Sequence, residues 1–149
     1  DIYFEIIRAK TASLLSSACS AGAYSATDDL KASEHFRLFG EKVGIAFQIK
    51  DDLFDYGQDN VGKPTGIDIN NADAATKRKI IYIVKNQNTD RKKVEEVIDI
   101  VNKSGGIAYA TQKMNQYKEE ALAMLKEYPQ TPARDAMESL VNYAIDRKY

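Results

Sequence analysis

Apolar residues return at three- and four-residue steps along almost the whole sequence, and nowhere do they alternate with polar ones as a half-buried strand requires. That pattern confines the chain to helices. Ile2, Ile6, Ala9, Leu14, Leu15 and Ala18 put an apolar face on a first helix predicted to run to about Ala21. From Thr11 to Ala26 the segment is rich in Ala, Ser and Gly, which lets a neighbouring helix approach closely while Gly22 lowers helix propensity. Thr27 or Asp28 is placed to cap a second helix, with Asp28 and Asp29 at the positive end of its dipole. Leu38, Val43, Phe47 and Phe54 carry that helix to Tyr56-Gly57. Asp73 and Thr89-Asp90 start two more, one bearing Ile80, Ile81 and Val84, the other Val94, Val97, Ile98 and Val101 up to a break at Gly105-Gly106. Ile107, Ala110, Met114, Tyr117, Ala121 and Met124 mark another helix, and Thr131-Pro132 opens a last one through Ala136, Leu140, Ala144 and Ile145. The expectation is an all-α domain of roughly six helices.

Composition narrows the function. A chain of 149 residues, 44% hydrophobic, is one domain's worth with enough apolar material for a core. Its 21 basic and 22 acidic side chains nearly cancel, so it lacks the basic field that gathers around nucleic acid, and no such partner is expected. Cys19 is the single cysteine and sits among Ala18, Ser20 and Ala21, a packed-helix setting without metal ligands, which predicts a reduced, cytoplasmic protein. No apolar run reaches the ~18 residues of a membrane span, and no cleavable signal pattern opens the chain. A soluble protein without a transmembrane segment is expected. Because Asp1 leads at once into an apolar helical pattern, the sequence reads as a piece of something longer. His35, flanked by Glu34, Phe36 and Arg37, reads as a surface or boundary residue, and Lys77-Arg78-Lys79 as a solvated face.

One segment breaks the local rules. In a helix, Gln48, Asp51, Asp52 and Asp55 stand at i, i+3, i+4 and i+7 and line one stripe, while Phe47, Ile49, Leu53 and Phe54 make the other faces apolar. Such a stripe is expected to face a cavity. Like charges four apart repel by roughly 0.2 to 0.5 kcal/mol, and carboxylates near a helix C-terminus oppose its dipole by roughly 0.3 to 1 kcal/mol. A divalent cation would offset both, and with no histidine or cysteine in reach the oxygen-only donors favour Mg²⁺ over zinc. Taken alone, D-D-x-x-D equally fits an exposed acidic helix end. A calcium loop, with Asp55, Gly57 and Asp59 in its first, third and fifth places, fails because Asn60 and Gly66 occupy the places of the invariant glycine and the bidentate glutamate. A diphosphate beside Mg²⁺ needs cations of its own. Lys10 with the Thr11 hydroxyl and Lys63 are candidates, the latter in the aperiodic stretch from Gly57 to Asn71 that we read as a functional loop; Lys50 is a weaker candidate, pointing off the stripe.

Lys10-Thr11-Ala12, Gly22-Ala23, the run from Gly44 to Tyr56, and Gly62-Lys63-Pro64-Thr65-Gly66-Ile67-Asp68 together resemble the second half of a trans-isoprenyl (polyprenyl) diphosphate synthase of the long-chain, octaprenyl-type bacterial kind. The resemblance runs through the whole chain. It implies an isoprenoid-synthase-type antiparallel helix bundle around a central cavity, with residues 1–149 as the C-terminal portion and the N-terminal part absent. It also implies a Mg²⁺-dependent enzyme that joins an allylic diphosphate to isopentenyl diphosphate, a homodimer when full length. Under it, Asp51 ligates Mg²⁺, Asp52 and Asp55 ligate it or hold its waters, and Gln48 orients the stripe or steadies the allylic end. Lys10 and Lys63 grip the allylic diphosphate, Thr11 lines the cation region, and Asp68 serves as a supporting acid.

Two departures qualify that expectation. The family's first aspartate-rich motif is not within these residues, and Asp28-Asp29 cannot replace it because Ala32 and Ser33 follow four positions on. The chain alone is therefore expected to lack chain-elongation activity. After Asp68, Ile69-Asn70-Asn71 passes directly to Ala72-Asp73-Ala74 where the family continues with a lysine and a Thr-Leu-Pro-type segment, so we expect an omitted loop between 68 and 73 in preference to a true shortening. The competing class is a noncatalytic helical subunit that pairs with a catalytic prenyl synthase. A terpene cyclase is disfavoured by the lysine-threonine motif and the glycine-lysine loop.

Overall fold

The computed structural model describes residues 2–54, 73–87, 89–103 and 105–147, and among these all regular structure is helical. Helix α1 (Ile2–Ile7) runs through a π-helical turn (Arg8–Ala12) into α2 (Ser13–Thr27). There follow α3 (Leu30–Phe54), α4 (Ala74–Asn86), α5 (Arg91–Lys103), α6 (Gly106–Leu125) and α7 (Pro132–Asp146). With α1, the π turn and α2 taken as one rod, the described residues form the six helical rods that the spacing predicts.

The predicted caps at Asp73, Asp90 and Thr131 all form. The Asp73 carboxylate accepts from the N–H groups of Ala75 and Thr76, Asp90 from those of Lys92 and Lys93, and the Thr131 hydroxyl from that of Arg134 with Pro132 in the first turn. Gly105 separates α5 from α6 at φ 79°, a left-handed conformation that glycine adopts without steric cost. At the α2–α3 corner the expectation needs correcting. The first rod continues past Ala21 to Thr27, and Asp28 ends it in the left-handed region at φ 52°, returning its N–H to the Tyr24 carbonyl. Asp29, one residue on, caps α3 by accepting from the Lys31 N–H at 2.8 Å.

The packed face of the first rod also differs from the predicted one. Its buried residues are Tyr3, Ile7, Ala12 and Ser16, while Ile2, Ile6 and Leu14 are 74%, 56% and 73% exposed. The buried steps are four, five and four, and the step of five falls on the π turn, which inserts one residue and rotates everything after it. On α7, likewise, Val141 and Ile145 are buried and Leu140 is 67% exposed.

The chain divides into two compact units. The first comprises residues 1–48 and 113–149; its core gathers Phe39, Val43, Ala121, Leu125 and Val141, with Leu15, Cys19, Phe36 and Met137 packed around them. The second comprises residues 49–112; its core is Ile80, Ile83, Val97 and Val101, flanked by Ile100 and Ile107.

Within the first unit, α2 and the first part of α3 form an antiparallel hairpin whose axes approach closely because small residues face each other. A Cβ at Gly40 would stand 2.6 Å from the Leu15 carbonyl oxygen, and one at Gly44 would stand 2.5 Å from the Ala12 Cα. Polar contacts continue the seam: the Ser16 hydroxyl donates to the Arg37 carbonyl at 2.9 Å, and the Ser20 and Ser33 hydroxyls lie 2.9 Å apart. This is the close approach that the Ala/Ser/Gly composition of α2 predicts.

Candidate functional site

The π turn carries the lysine-threonine motif. Its wide ring closes where the Ser13 N–H reaches the Arg8 carbonyl five residues back, and the Ser13 hydroxyl donates to the Ala9 carbonyl at 2.8 Å. Such turns inside α-helices recur at functional sites because they redirect side chains that regular geometry would misplace. Here Lys10 is exposed and Thr11 half-buried. Arg8 fastens the same turn to α3 through a 3.0 Å ion pair with Glu41. Glu41 is shared by Arg37, whose guanidinium also binds Glu34, holding the Glu34 carboxyl below the usual carboxylate range and raising the arginine's own pKa.

Thr11 and Gln48, 37 positions apart, are brought together: the Thr11 hydroxyl donates to Gln48 Oε1 at 2.5 Å. Their meeting depends on the tight seam one turn along, where Ala12 faces Gly44. Gln48, Asp51 and Asp52 all lie in the last two turns of α3 and are half-buried, with Ile45, Ala46 and Ile49 buried behind them. Of the apolar neighbours named from the sequence, Ile49 is buried and Phe47, Leu53 and Phe54 are half-buried. Lys50 points off the stripe as predicted, its Nζ 4.7 Å from the centroid of the Phe54 ring. Asp55, Lys63 and Asp68 lie outside the described residues, as do the Gly57–Asn71 stretch and the junction after Asp68.

Among the described residues no group of three or more His, Cys, Asp or Glu side chains is placed to hold a metal ion; the third carboxylate of the stripe is not among them. The two predicted ligands that are described, Asp51 and Asp52, offer carboxylate oxygen at partly buried positions, donors that suit Mg²⁺ and not zinc. His35 is a boundary residue, as expected, with Nε2 3.3 Å from the Met124 carbonyl and its ring against Phe36 and Tyr128. Cys19 packs against the first core, where burial pushes its thiol pKa up. Among the described residues no helix is long and apolar enough to cross a membrane.

The π turn is the element that periodicity alone does not find. Its signal in the sequence is the five-residue step from Ile7 to Ala12, visible once Tyr3, Ile7, Ala12 and Ser16, and not Ile2, Ile6 and Leu14, are taken as the packed face.

A family profile described as polyprenyl synthetase matches residues 1–130. Octaprenyl diphosphate synthase of Escherichia coli (strain K12) is 27% identical over 159 residues, covering 97% of this chain and 49% of that protein. Among solved structures, geranylgeranyl pyrophosphate synthase from Bacteroides thetaiotaomicron superposes with a TM-score of 0.87 at 30% identity, covering 99% of this chain and 52% of that one. Polyprenyl synthase from Caulobacter crescentus CB15, complexed with calcium and isoprenyl diphosphate, gives 0.82 at 27% identity, with coverage of 99% and 50%. The all-helical fold described above is the isoprenoid-synthase fold of these structures. The chain spans about half or less of the length of the curated relatives it matches.

Proposed function

This chain belongs to the polyprenyl synthetase family, and on that premise we propose that it forms part of a Mg²⁺-dependent prenyltransferase, one that condenses an allylic diphosphate with isopentenyl diphosphate into an octaprenyl-type trans-polyprenyl diphosphate. The observation that supports this most directly is the hydrogen bond between Thr11 and Gln48, which joins the lysine-threonine turn to the helix of the acidic stripe. With its proton committed to Gln48, the Thr11 hydroxyl oxygen presents lone pairs. That polarity steadies an allylic carbon as positive charge develops on it.

In this reading Lys10 and Lys63 hold the allylic diphosphate, Asp51 holds Mg²⁺ with Asp52 and Asp55, and Asp68 supports the loop that carries Lys63. When bound, Mg²⁺ supplies Lewis-acid stabilisation of the diphosphate leaving group. Gln48, fixed by Thr11, keeps the amide dipole at the head of the stripe from turning toward the carboxylates. The apolar residues around the stripe limit water, which would otherwise capture the cation. The whole enzyme, in the same reading, is a cytoplasmic homodimer. A noncatalytic subunit is the weaker alternative, since a role in pairing alone gives no reason for the sequence to keep Asp51, Asp52 and Asp55, at a cost in helix stability, as well as Lys10 and Lys63.

Calorimetry with MgCl₂ and inorganic pyrophosphate tests the site. The chain should bind pyrophosphate only with Mg²⁺ present, EDTA should abolish the heat, and Asp51→Asn should weaken binding at least about tenfold, equivalent to roughly 1.4 kcal/mol. Equal affinity in the Asp51→Asn variant overturns the assignment. These 149 residues contain no other aspartate-rich motif of the D-D-x-x-D type. On its own the chain should therefore leave labelled isopentenyl diphosphate unincorporated in the presence of an allylic diphosphate, and turnover above background would refute that expectation.

A further inference from the structure

Within the unit of residues 1–48 and 113–149, the end of α7 is fastened to two other helices. Lys118 on α6, 9% exposed, is the one buried charged side chain among the described residues, and its Nζ donates to both carboxylate oxygens of Asp146 at 2.8 and 2.6 Å. An ammonium taken so far out of water is tolerated only where a carboxylate replaces its hydration, so the pair pins the last turn of α7 to α6. The next residue, Arg147, has its guanidinium carbon 4.4 Å from the centroid of the Phe47 ring on α3. A planar cation over an aromatic face is attracted by the ring's quadrupole, and the stack constrains both groups. Phe47 immediately precedes Gln48, the acceptor of the Thr11 hydroxyl.

We propose that Arg147 is a positioning residue for the Thr11–Gln48 pair: anchored through the Lys118–Asp146 bridge, it holds the Phe47 ring and so fixes the turn of α3 that carries Gln48. The functional part rests on the prenyl-transfer reading; the geometric part does not. A ring free to change rotamer would let the Phe47–Gln48 turn fray, and the amide would then sample orientations in which Oε1 no longer meets Thr11. None of Lys118, Asp146 and Arg147 belongs to the motif set, and each acts on the site only through another residue.

The test uses the 149-residue protein with Arg147→Leu, which keeps aliphatic bulk and removes the cation, and Arg147→Lys, which restores a cation. Amide hydrogen exchange is followed at residues 44–50 and, as an internal reference, at residues 32–38 of the same helix. Arg147→Leu should raise exchange about tenfold at 44–50 while leaving 32–38 and the urea midpoint nearly unchanged, and Arg147→Lys should recover most of the protection. Phe47→Leu should raise exchange in the same segment, and the double variant should be no worse than either single one, since both remove one contact. Lys118→Met should reproduce the local effect. Unchanged exchange at 44–50, or a uniform rise along α3 with a fallen urea midpoint, overturns the proposal. Pyrophosphate affinity with Mg²⁺ is measured in parallel, and Arg147→Leu should weaken it several-fold. If exchange behaves as expected while neither protein binds pyrophosphate, the clamp stands and the prenyl-transfer reading falls.

Discussion

Lys42 and Glu120 are 78 positions apart, on α3 and α6, and meet at 2.5 Å. The hydrogen bond from Lys42, helped by one from Gln116, holds the Glu120 carboxyl below its ordinary value of 4.5. A carboxylate whose folded pKa is depressed contributes stability above its unfolded pKa, and that contribution is lost as pH falls through the folded value. Lys42→Met should therefore return the Glu120 pKa toward 4.5, which a carboxyl-carbon NMR titration reads directly. The urea midpoint of the parent chain should exceed that of Lys42→Met at pH 7, with the gap closing as pH is lowered below 4.5. A gap independent of pH would mean that lost packing of the lysine stem, and not charge, sets the difference. At this scale the sequence was informative where chemistry is concentrated and silent where it is dispersed. Thr11 and Gln48 stand in motifs, so their candidacy was legible, although their bond was not. Lys118 was invisible because a lone lysine between polar neighbours carries no sign of burial; its partner lies 28 positions away.

Among elements, the α2–α3 hairpin separates what composition tells from what it cannot. Small residues announce close packing, but which of them face the partner helix depends on the π turn, and periodicity at 3.6 residues cannot register an inserted residue. This is why Ile2, Ile6 and Leu14, the obvious apolar face, stand exposed while Ala12 and Ser16 are buried. The caps at Asp73, Asp90 and Thr131 were legible because capping is local chemistry, whereas the cap of α3, read at Thr27 or Asp28, falls at Asp29 because Asp28 turns left-handed to end α2. Two glycines of the hairpin give opposite predictions for one substitution. At Gly22 a new Cβ meets nothing within 4 Å, so Gly22→Ala should stabilise by up to about 1 kcal/mol, the helix-propensity difference. At Gly40 it would meet backbone, with the Leu15 carbonyl oxygen at 2.6 Å and the Ser16 Cα at 2.9 Å, atoms that cannot swing aside as a side-chain tip would. Gly40→Ala should cost about 1–3 kcal/mol as overpacking outweighs propensity. Urea midpoints of opposite sign check the pair, and two stabilising results would show that the seam is looser than 2.6 Å implies.

For the molecule as a whole, the six rods of the described residues and the family were both legible, the first because apolar spacing and breaks mark each rod and the second because an ordered string of motifs is far more specific than any one member. The division into two units was not legible, since α3 and α6 each run unbroken through a boundary, between Gln48 and Ile49 and between Gln112 and Lys113. Two cores nevertheless imply two sites at which cooperativity can fail. Ile80 is fully buried among Ile83, Val97 and Val101, and Leu125 is buried among Phe39, Val43, Ala121 and Val141. Truncating either to alanine should cost about 2–5 kcal/mol through lost burial and the cavity left behind. The consequences should differ in place. Ile80→Ala should raise amide exchange across α4 and α5, whose core it belongs to, while the seam of α2 with α3 stays protected; Leu125→Ala should do the reverse. If each unit opens by itself, the exchange free energies of α4 and α5 fall in the Ile80 variant by the full cost of the cavity, and those of α2 do not move. Equal loss of protection in both units from either substitution would establish a single cooperative unit, with the continuous helices α3 and α6 transmitting the damage.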